Sequence, residues 1–279
     1  MPEGPEVRRE ADRIARVLTG ECAAEVWFAF DHLKVWAVRL RGEQIQGVQS
    51  RGKAMLVRFA NGMNIYSHNQ LYGRWFVKPR GQEPRTTRQL RLAVHTEKHS
   101  ALLYSASEIE VMADDELDGH AFLARLGPDV LSAEVRAPDI EARLADTRFR
   151  RRSLGALLLD QGFVSGLGNY LRSEILFVAR LDPAMRPMDL SDGLRSELAS
   201  AIAEISHRAY RLRGVTNDPD DARRLKGEGV PRRDYRHYVF GRRGKRCRLC
   251  GEAIVKAVSA GRRIYTCPSC QGAMANDQS

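Results

Sequence analysis

Four cysteines near the C-terminal end of the sequence place the strongest single constraint on its fold. Cys247 and Cys250 form one Cys-x2-Cys pair, Cys267 and Cys270 form a second, and sixteen residues separate the pairs. Each pair can turn two thiolates toward one ion, and two pairs complete the tetrahedral four-sulfur site typical of structural zinc. Because protein ligands would take all four positions, we expect one structural zinc ion without a catalytic role.

The residues between the two cysteine pairs have the pattern of a short β-hairpin. Two strand-like runs flank Ser259, Ala260 and Gly261, which predict the turn. Arg262 and Arg263 follow that turn directly, and further basic residues precede the first cysteine pair. A solvated charged face would explain such a cluster, but arginines at the turn of so short a hairpin favour contact with phosphate groups.

The N-terminal part of the sequence combines one helix with a series of short strands. Val7, Ala11, Ile14 and Leu18 recur at helical spacing, which predicts an amphipathic helix. Short runs rich in β-branched and aromatic residues follow, and the Asn61-Gly62 pair between two of them is a strong hairpin signal. These patterns predict a helix on an all-β body, either a sandwich or a barrel.

A change of pattern marks the predicted boundary between two domains. It falls near residues 126–139, which contain two prolines and a glycine. Helical periodicity follows, including a long helix near residues 194–212, whereas the charged residues 213–237 are expected to form a loop. The predicted organisation is α+β with two domains. Its segments are an N-terminal domain (1–124), a linker (125–139), a helical domain (140–237), a zinc finger (238–272) and a tail (273–279).

The charge balance of the sequence favours a polyanionic partner. Its 45 Lys and Arg residues outnumber 35 Asp and Glu residues, which gives a net charge of +10 and suggests nucleic acid first. The first residues, MPEGPEVRRE, lack the apolar segment of a secretory signal, and no apolar run approaches the roughly 20 residues of a membrane-spanning helix. We therefore expect an intracellular protein without membrane association. The fifth cysteine, Cys22, is expected to be a small buried apolar residue.

The second residue offers an unusual nucleophile. A proline after Met1 normally allows the initiator methionine to be removed, which would leave Pro2 with a free secondary amine. An α-amino group has a pKa of about 7.7–8.0, against about 10.4 for a lysine side chain, so a useful fraction is neutral at neutral pH. Glu3 lies beside it and can transfer protons. Taken alone, this pattern is too common to establish catalysis.

Six motifs occur together and in order over nearly the whole sequence. They are MPEGPEV, RGKAML, YSHNQLYG, LGPDVL, SGLGNYLRSEIL and the terminal CPSCQ. Together they resemble the formamidopyrimidine-DNA glycosylase family, and most closely its endonuclease VIII branch. The resemblance implies a helix with a β-sandwich in the N-terminal domain, then a helical domain with a helix-two-turn-helix motif and a β-hairpin zinc finger. DNA would lie in the cleft between the halves.

The resemblance also implies a reaction. The protein would be a bifunctional DNA glycosylase and AP lyase of base excision repair that removes oxidised pyrimidines. Since the sugar C1′ atom cannot be attacked inside a duplex, the nucleotide must first be extruded. Pro2 would then displace the base and form a Schiff base, Glu3 would transfer protons, and β,δ-elimination would cleave the strand. The expected substrate is double-stranded DNA with oxidised bases or abasic sites, bound by a monomer in the bacterial cytoplasm.

Further site residues follow from individual motifs. Lys53 matches a lysine that holds phosphate and assists proton transfer, although without the family it would be read as a surface lysine on a strand. Arg262 matches the finger arginine that contacts phosphates around the lesion and is tied to δ-elimination. Arg125 and Asn169 match DNA contacts; Asn169 would also suit a helix N-cap, and it could fill both roles.

The third motif, YSHNQLYG, bears on the gap that an extruded nucleotide leaves. Gln70, Leu71 and Tyr72 match the triplet that fills this gap in the pyrimidine-specific branch, and the methionine used by the 8-oxoguanine branch is absent from this loop. His68 either contacts phosphate or packs in a strand. In the fifth motif, Glu174 resembles a buried helix carboxylate with a structural or proton-relay role.

Two alternatives remain open at the level of the sequence. The first is the same chemistry on oxidised purines, namely 8-oxoguanine and formamidopyrimidine. The second is a zinc-finger protein that senses DNA damage without catalysis. A sensor would have no use for Pro2 and Glu3 at an exposed terminus, which favours the enzyme.

Overall fold

The chain forms two compact units. The computed structural model describes residues 2–272, so Met1 and the predicted tail, 273–279, lie outside the described residues. One unit ends at Arg125 and the other begins at Leu126. Each unit has a hydrophobic core of its own, which is the defining property of a domain.

Helix α1 (Gly4–Leu18) opens the first unit. The four apolar residues that predicted it, at positions 7, 11, 14 and 18, are all buried along one face. That face packs against the strands that follow, and Ile14 and Leu18 are completely shielded from solvent. The helical spacing in the sequence therefore corresponds to a buried apolar stripe on α1, as predicted.

Two four-stranded antiparallel sheets form the body of the first unit. Their strand orders are β1-β6-β7-β5 and β2-β3-β4-β8. The strands are β1 (Glu25–Phe28), β2 (Ile45–Arg51), β3 (Ala54–Phe59), β4 (Met63–His68), β5 (Arg74–Pro79), β6 (Leu90–His95), β7 (His99–Tyr104) and β8 (Glu108–Ala113), and helix α2 (Lys34–Leu40) follows β1. A β-sandwich is thus confirmed over the alternative of a barrel.

One apolar core joins the sheets to α1. It contains Ile14 of the helix, Phe28 and Leu103 of the first sheet, and Val57 and Ile65 of the second. The predicted hairpin turn at residues 61–62 joins β3 to β4, and its glycine has a φ of 76°, which a residue without a Cβ adopts readily. The sandwich is therefore a rigid base for the loops that leave it.

The second unit is helical and ends in a hairpin. Its helices are α3 (Ala137–Ala145), α4 (Leu154–Leu157), α5 (Asn169–Val178), α6 (Asp192–Arg211), α7 (Pro219–Gly227), α8 (Arg232–Tyr235) and α9 (Pro268–Gly272), and its strands are β9 (Val255–Ser259) and β10 (Arg262–Thr266). The core is built mainly from α3, α5 and α6, and Ile264 of β10 enters it. Within the described residues, no helix is long and apolar enough to cross a membrane.

The expectation of a loop over residues 213–237 is wrong. The segment contains α7 and α8. Asp218 begins α7 as an N-cap, because its carboxylate accepts hydrogen bonds from the backbone N–H groups of Asp220 and Asp221. Arg224 then pairs with Asp221 three residues before it and with Glu228 four residues after it. The charged composition that predicted a loop belongs to an exposed helix with paired charges.

Cys22 is also not where the sequence placed it. It is exposed rather than buried. It lies in an isolated antiparallel bridge with Gln44, outside the strands of the sandwich. A single bridge fixes the backbone without bringing the side chain into the core, so the usual burial of free cysteine does not apply here.

The buried stripe of α1 predicts a stability cost for its truncation. Ile14→Ala removes a completely buried side chain from the core that joins helix and sheets. We expect it to lower the free energy of unfolding by about 2–5 kcal/mol. Val38→Ala in α2 is the matched control, because Val38 is 80% exposed. Chemical denaturation of both variants checks the prediction, and equal losses of stability in the two would contradict it.

Candidate functional site

Pro2 and Glu3 lie at the start of α1. Pro2 is half-buried, and Glu3 is 4% exposed. The carbonyl of Glu3 accepts hydrogen bonds from the backbone N–H groups of Glu6 (3.1 Å) and Val7 (3.0 Å). Its own N–H donates to the Glu6 carboxylate at 3.1 Å. The backbone next to Pro2 is therefore fixed at the end of a rigid helix, with a buried carboxyl group beside it.

Lys53 lies in a tight turn between β2 and β3. Arg51 pairs with Ala54, so Gly52 and Lys53 form a two-residue turn, and Gly52 has the φ of 60° that such turns need. Lys53 is only 7% exposed, which contradicts its reading as a surface strand lysine. Helix α1 packs against β2 and β3, the strands that this turn joins.

The loop after β4 exposes two large apolar side chains. Leu71 is 58% exposed and Tyr72 is 65% exposed. The Gly73 N–H donates to the Asn69 carbonyl at 2.7 Å, which closes the loop. A Cβ at Gly73 would lie 2.6 Å from that carbonyl oxygen, so only glycine fits there. The predicted triplet is thus held at the tip of a closed loop that projects apolar groups into solvent.

Helix α1 anchors this loop through Glu10, a residue that the sequence analysis missed. The Glu10 carboxylate accepts hydrogen bonds from Asn69 Nδ2 (2.7 Å) and from the Trp75 N–H (3.3 Å), on the two sides of the loop. Burial raises the pKa of Glu10, and the hydrogen bond from Asn69 opposes that shift. Arg13 donates to the Trp75 carbonyl at 3.0 Å, and Arg88 donates to the Tyr72 carbonyl at 2.6 Å.

A polar network fixes Gln70. Its backbone has a φ of 47°, and its N–H donates to His68 Nδ1 at 3.0 Å. Its side-chain amide donates to the Glu108 carboxylate at 2.9 Å and accepts from the Ser107 hydroxyl at 2.7 Å. Tyr66 also donates to Glu108, at 3.1 Å. The amide of Gln70 is therefore oriented before any ligand arrives.

His68 belongs to the same network, as the acceptor of the Gln70 N–H. Burial lowers its pKa, the Glu108 carboxylate opposes this, and the Lys53 ammonium lowers it further. Since Nδ1 accepts the Gln70 N–H, the proton of the neutral ring lies on Nε2. The ring packs edge-on against Phe122 at 5.4 Å, which matches the packing role, while Nε2 keeps a proton to donate.

Arg125 and Asn169, the other predicted DNA contacts, have different surroundings. Arg125 lies at the end of the first unit, and its Nε donates to the Ala121 carbonyl at 2.6 Å. Asn169 is the first residue of α5, and Gly168 occupies the N-cap position, so the N-cap reading of Asn169 is wrong. Its side chain instead donates to the Arg263 carbonyl at 2.7 Å.

Glu174 has a structural role in the second unit. It is completely buried, and its carboxylate accepts a hydrogen bond from the Thr216 hydroxyl at 2.6 Å. It also accepts hydrogen bonds from the backbone N–H groups of Tyr238 (2.7 Å), Val239 (2.9 Å) and Phe240 (2.8 Å). These bonds attach the segment that leads into the cysteine cluster to helix α5.

The four cysteines of the sequence motif come together. Their sulfur atoms all lie within 4.8 Å of one another, and none is in a disulfide. Cys247 Sγ and Cys270 Sγ are 3.8 Å apart, and Cys250 Sγ and Cys267 Sγ are 3.4 Å apart. A tetrahedral zinc with sulfur ligands at about 2.3 Å requires sulfurs about 3.8 Å apart. The cluster can therefore hold a metal ion of this kind.

The hairpin between the cysteine pairs presents two arginines. Ser259 pairs with Arg262 across a two-residue turn of Ala260 and Gly261, which have φ angles of 50° and 69°. Arg262 and Arg263 are exposed, and neither forms an ion pair with another residue in the described range 2–272. Two guanidinium groups are thus available to anions at the hairpin tip.

Known proteins resemble the chain over nearly its full length. Residues 1–107 match the formamidopyrimidine-DNA glycosylase N-terminal domain, and residues 126–219 match the H2TH domain of the same glycosylase. The chain is 43% identical to Endonuclease 8 of Salmonella arizonae and 42% identical to Endonuclease 8 of Klebsiella pneumoniae, in each case over 97% of this chain and 100% of the relative.

The fold also matches solved structures. The formamidopyrimidine-DNA glycosylase of Lactococcus lactis, bound to DNA with an abasic site, superposes with a TM-score of 0.78 at 22% identity, over 96% of this chain and 99% of that one. A complex of the same glycosylase with DNA containing an oxidised pyrimidine gives the same TM-score over 97% and 99%. With two domain matches and full-length relatives, the chain belongs to the formamidopyrimidine-DNA glycosylase family.

Proposed function

We propose that this protein is a bifunctional DNA glycosylase and AP lyase of base excision repair that acts on oxidised pyrimidines. The observation that carries the proposal is the position of Pro2 next to the buried carboxyl group of Glu3, at the rigid start of α1. An amine nucleophile beside a proton-transferring group is the arrangement that this chemistry requires.

In the proposed reaction the secondary amine of Pro2, exposed once Met1 is removed, attacks C1′ of an extruded nucleotide. The new N–C1′ bond forms as the glycosidic bond breaks, and Glu3 delivers the proton that the leaving base or the opening sugar needs. The amine loses its own proton, and the C1′–O4′ bond of the sugar then breaks while O4′ takes up a proton, which leaves an iminium ion between Pro2 and C1′. Loss of a C2′ proton then breaks the C3′–O bond by β-elimination, and δ-elimination breaks the C5′–O bond.

The basic residues have proposed roles on the phosphates. Lys53 would hold a phosphate near the lesion and assist proton transfer. Arg262 at the hairpin tip would contact phosphates around the lesion and support δ-elimination. Arg125 and Asn169 would contact phosphate further along the strand, since the Asn169 amide has a second N–H besides the one that it donates to Arg263. Such contacts position the DNA without reading its sequence.

Gln70, Leu71 and Tyr72 would fill the gap left by the extruded nucleotide. The exposure of Leu71 and Tyr72 supports this role, because large apolar side chains rarely face solvent together at a closed loop without a partner. The fixed amide of Gln70 would face the base that has lost its partner. Identity near 43% with Endonuclease 8, over the whole length of that relative, supports oxidised pyrimidines as the substrate class.

We further propose that the four-cysteine cluster holds one zinc ion and that the protein works in the bacterial cytoplasm, on the nucleoid. Zinc fits because the four thiolates provide a closed sulfur site with no open position. When bound, zinc would fix the finger hairpin and take no part in the reaction. The Gln271 amide supports the site, because its Oε1 accepts a hydrogen bond from the Cys267 N–H at 2.9 Å.

The nucleophile can be tested by blocking the amine. A tag that is retained ahead of Met1 should abolish the borohydride-trapped adduct with an abasic-site duplex and reduce base excision to background, because Pro2 then lacks a free amine. The same tag at the C-terminus is the control, and mass spectrometry confirms Pro2 as the first residue of the active form. Normal turnover of the blocked form would refute the assignment. Tight DNA binding without any adduct in the control would instead indicate a damage sensor.

Removal of one cysteine tests the zinc site. Cys247→Ser should lower the zinc content from about one ion per chain toward zero and weaken DNA binding, because structural zinc contributes directly to folding of its module. Cys22→Ser is the matched control, because Cys22 is exposed and lies outside the cluster. Metal analysis of both variants gives the answer, and an unchanged zinc content in Cys247→Ser would rule out the four-sulfur site.

Truncation of Leu71 tests the role of the loop. Leu71→Ala should slow excision from duplex DNA by about ten- to a hundredfold, because burial of a leucine side chain contributes about 1.5–3 kcal/mol. Cleavage of a single-stranded abasic substrate should change little, because no gap forms there. Val38→Ala is the control for removal of an exposed apolar side chain in the same unit. Equal slowing on both substrates would exclude gap filling.

A further inference from the structure

Arg172 is the most deeply buried cation in the described part of the chain. It lies in α5, it is 0% exposed, and only Trp75 is larger among the completely buried side chains. A guanidinium group is stable in such a place only when most of its N–H groups are hydrogen-bonded. Its partners therefore indicate what the side chain is for.

Those partners belong mainly to the tip of the finger hairpin. Nη1 donates to the carbonyls of Gly155 (2.8 Å) and Ser259 (3.1 Å). Nη2 donates to the carbonyls of Arg263 (3.2 Å) and Arg262 (3.4 Å). Ser259 and Arg262 are the residues that close the two-residue turn, so one side chain holds both ends of the turn.

Other contacts hold the tip at the same place. Nη2 of Arg172 also donates to Asn169 Oδ1 at 2.8 Å, while the amide of Asn169 donates to the Arg263 carbonyl at 2.7 Å. A Cβ at Gly155 would lie 2.5 Å from Ser259 Oγ, so the hairpin rests directly on a position without a side chain. The turn therefore packs closely against α4, and Arg172 is hydrogen-bonded to the carbonyls of Ser259 and Arg262 at its two ends.

We propose that Arg172 is a positioning residue that fixes where Arg262 and Asn169 meet the DNA phosphates. The inference rests on the proposed function, in which Arg262 supports δ-elimination. The Arg262 side chain forms no ion pair with any residue of the described range, so its starting point is set by its backbone, and Arg172 holds that backbone. Arginine suits this task because the donors of its planar guanidinium group are spread over three nitrogens and reach several carbonyls at once. The three donors of a lysine ammonium lie on a single nitrogen.

Arg172→Lys tests the proposal in the full-length, zinc-loaded protein on an abasic-site duplex. Borohydride trapping and β-elimination should be retained, while the ratio of δ- to β-elimination product should fall by roughly tenfold, as it should in Arg262→Ala. The slope of log binding constant against log salt should also fall by about 0.9 for each phosphate that the variant no longer neutralises. The double variant should show no larger decrease than Arg262→Ala alone, because both changes act on the same phosphate interaction.

Arg143→Lys is the matched control. Arg143 also donates to backbone carbonyls in the second unit, those of Phe163 (2.6 Å) and Gly162 (2.6 Å), but not in the finger. It should leave the product ratio unchanged. If Arg172→Lys does not fold or bind zinc, Gly155→Val gives a second test, because it keeps Arg172 and places a branched side chain where a Cβ alone would lie 2.5 Å from Ser259 Oγ and 3.2 Å from Pro183; it should lower the same ratio.

The outcomes separate the inference from the proposed function. An unchanged product ratio in a folded Arg172→Lys, or in a folded Gly155→Val where the first variant fails, would overturn the positioning role. Independent, additive decreases in the double variant would do the same. Failure of the wild-type protein to form any adduct or nick would instead overturn the proposed function.

Discussion

The hydrogen bonds of the Glu10 carboxylate are the constraint on which the first unit depends. One oxygen binds Asn69 before the exposed loop, and the other binds the Trp75 N–H after it. Glu10 lies in the same helix that begins directly after Pro2 and Glu3. The proposed nucleophile and the proposed gap-filling loop are therefore attached to one rigid element, so neither can shift without the other.

In the second unit, a buried helix residue of the opposite charge, Arg172, anchors a neighbouring loop in the same way. Helix α5 begins with Asn169, and one turn later it carries Arg172, which holds the finger tip. Glu174 in the same helix holds the segment that leads into the finger. This ten-residue helix thus holds both the segment that leads into the four-cysteine cluster and the tip of the hairpin, and the cluster lies between these two anchored parts of the chain.

The sequence predicted the features that depend on local pattern. The buried face of α1, the turn at residues 61–62, the four-cysteine cluster and the long helix all follow from spacing alone. It missed Glu10 and the burial of Lys53, because these depend on which distant elements pack together. It also missed α7, since paired charges on an exposed helix have the composition of a loop. Sandwich and barrel could not be distinguished, because strand order depends on contacts between residues far apart in the sequence.

Several features that lower the stability of the free protein lie where DNA contact is proposed. The cationic side chains of Lys53 and Arg172 are buried, and Leu71 and Tyr72 are exposed on a loop where Gln70 has a left-handed backbone. Each of these weakens a protein that is alone in water. Each would be offset on damaged DNA, where phosphates face Lys53 and the finger tip that Arg172 holds, and unstacked bases cover the apolar groups. Functional surfaces are expected to contain residues that are unfavourable for folding alone. Here such residues coincide with the proposed DNA contacts.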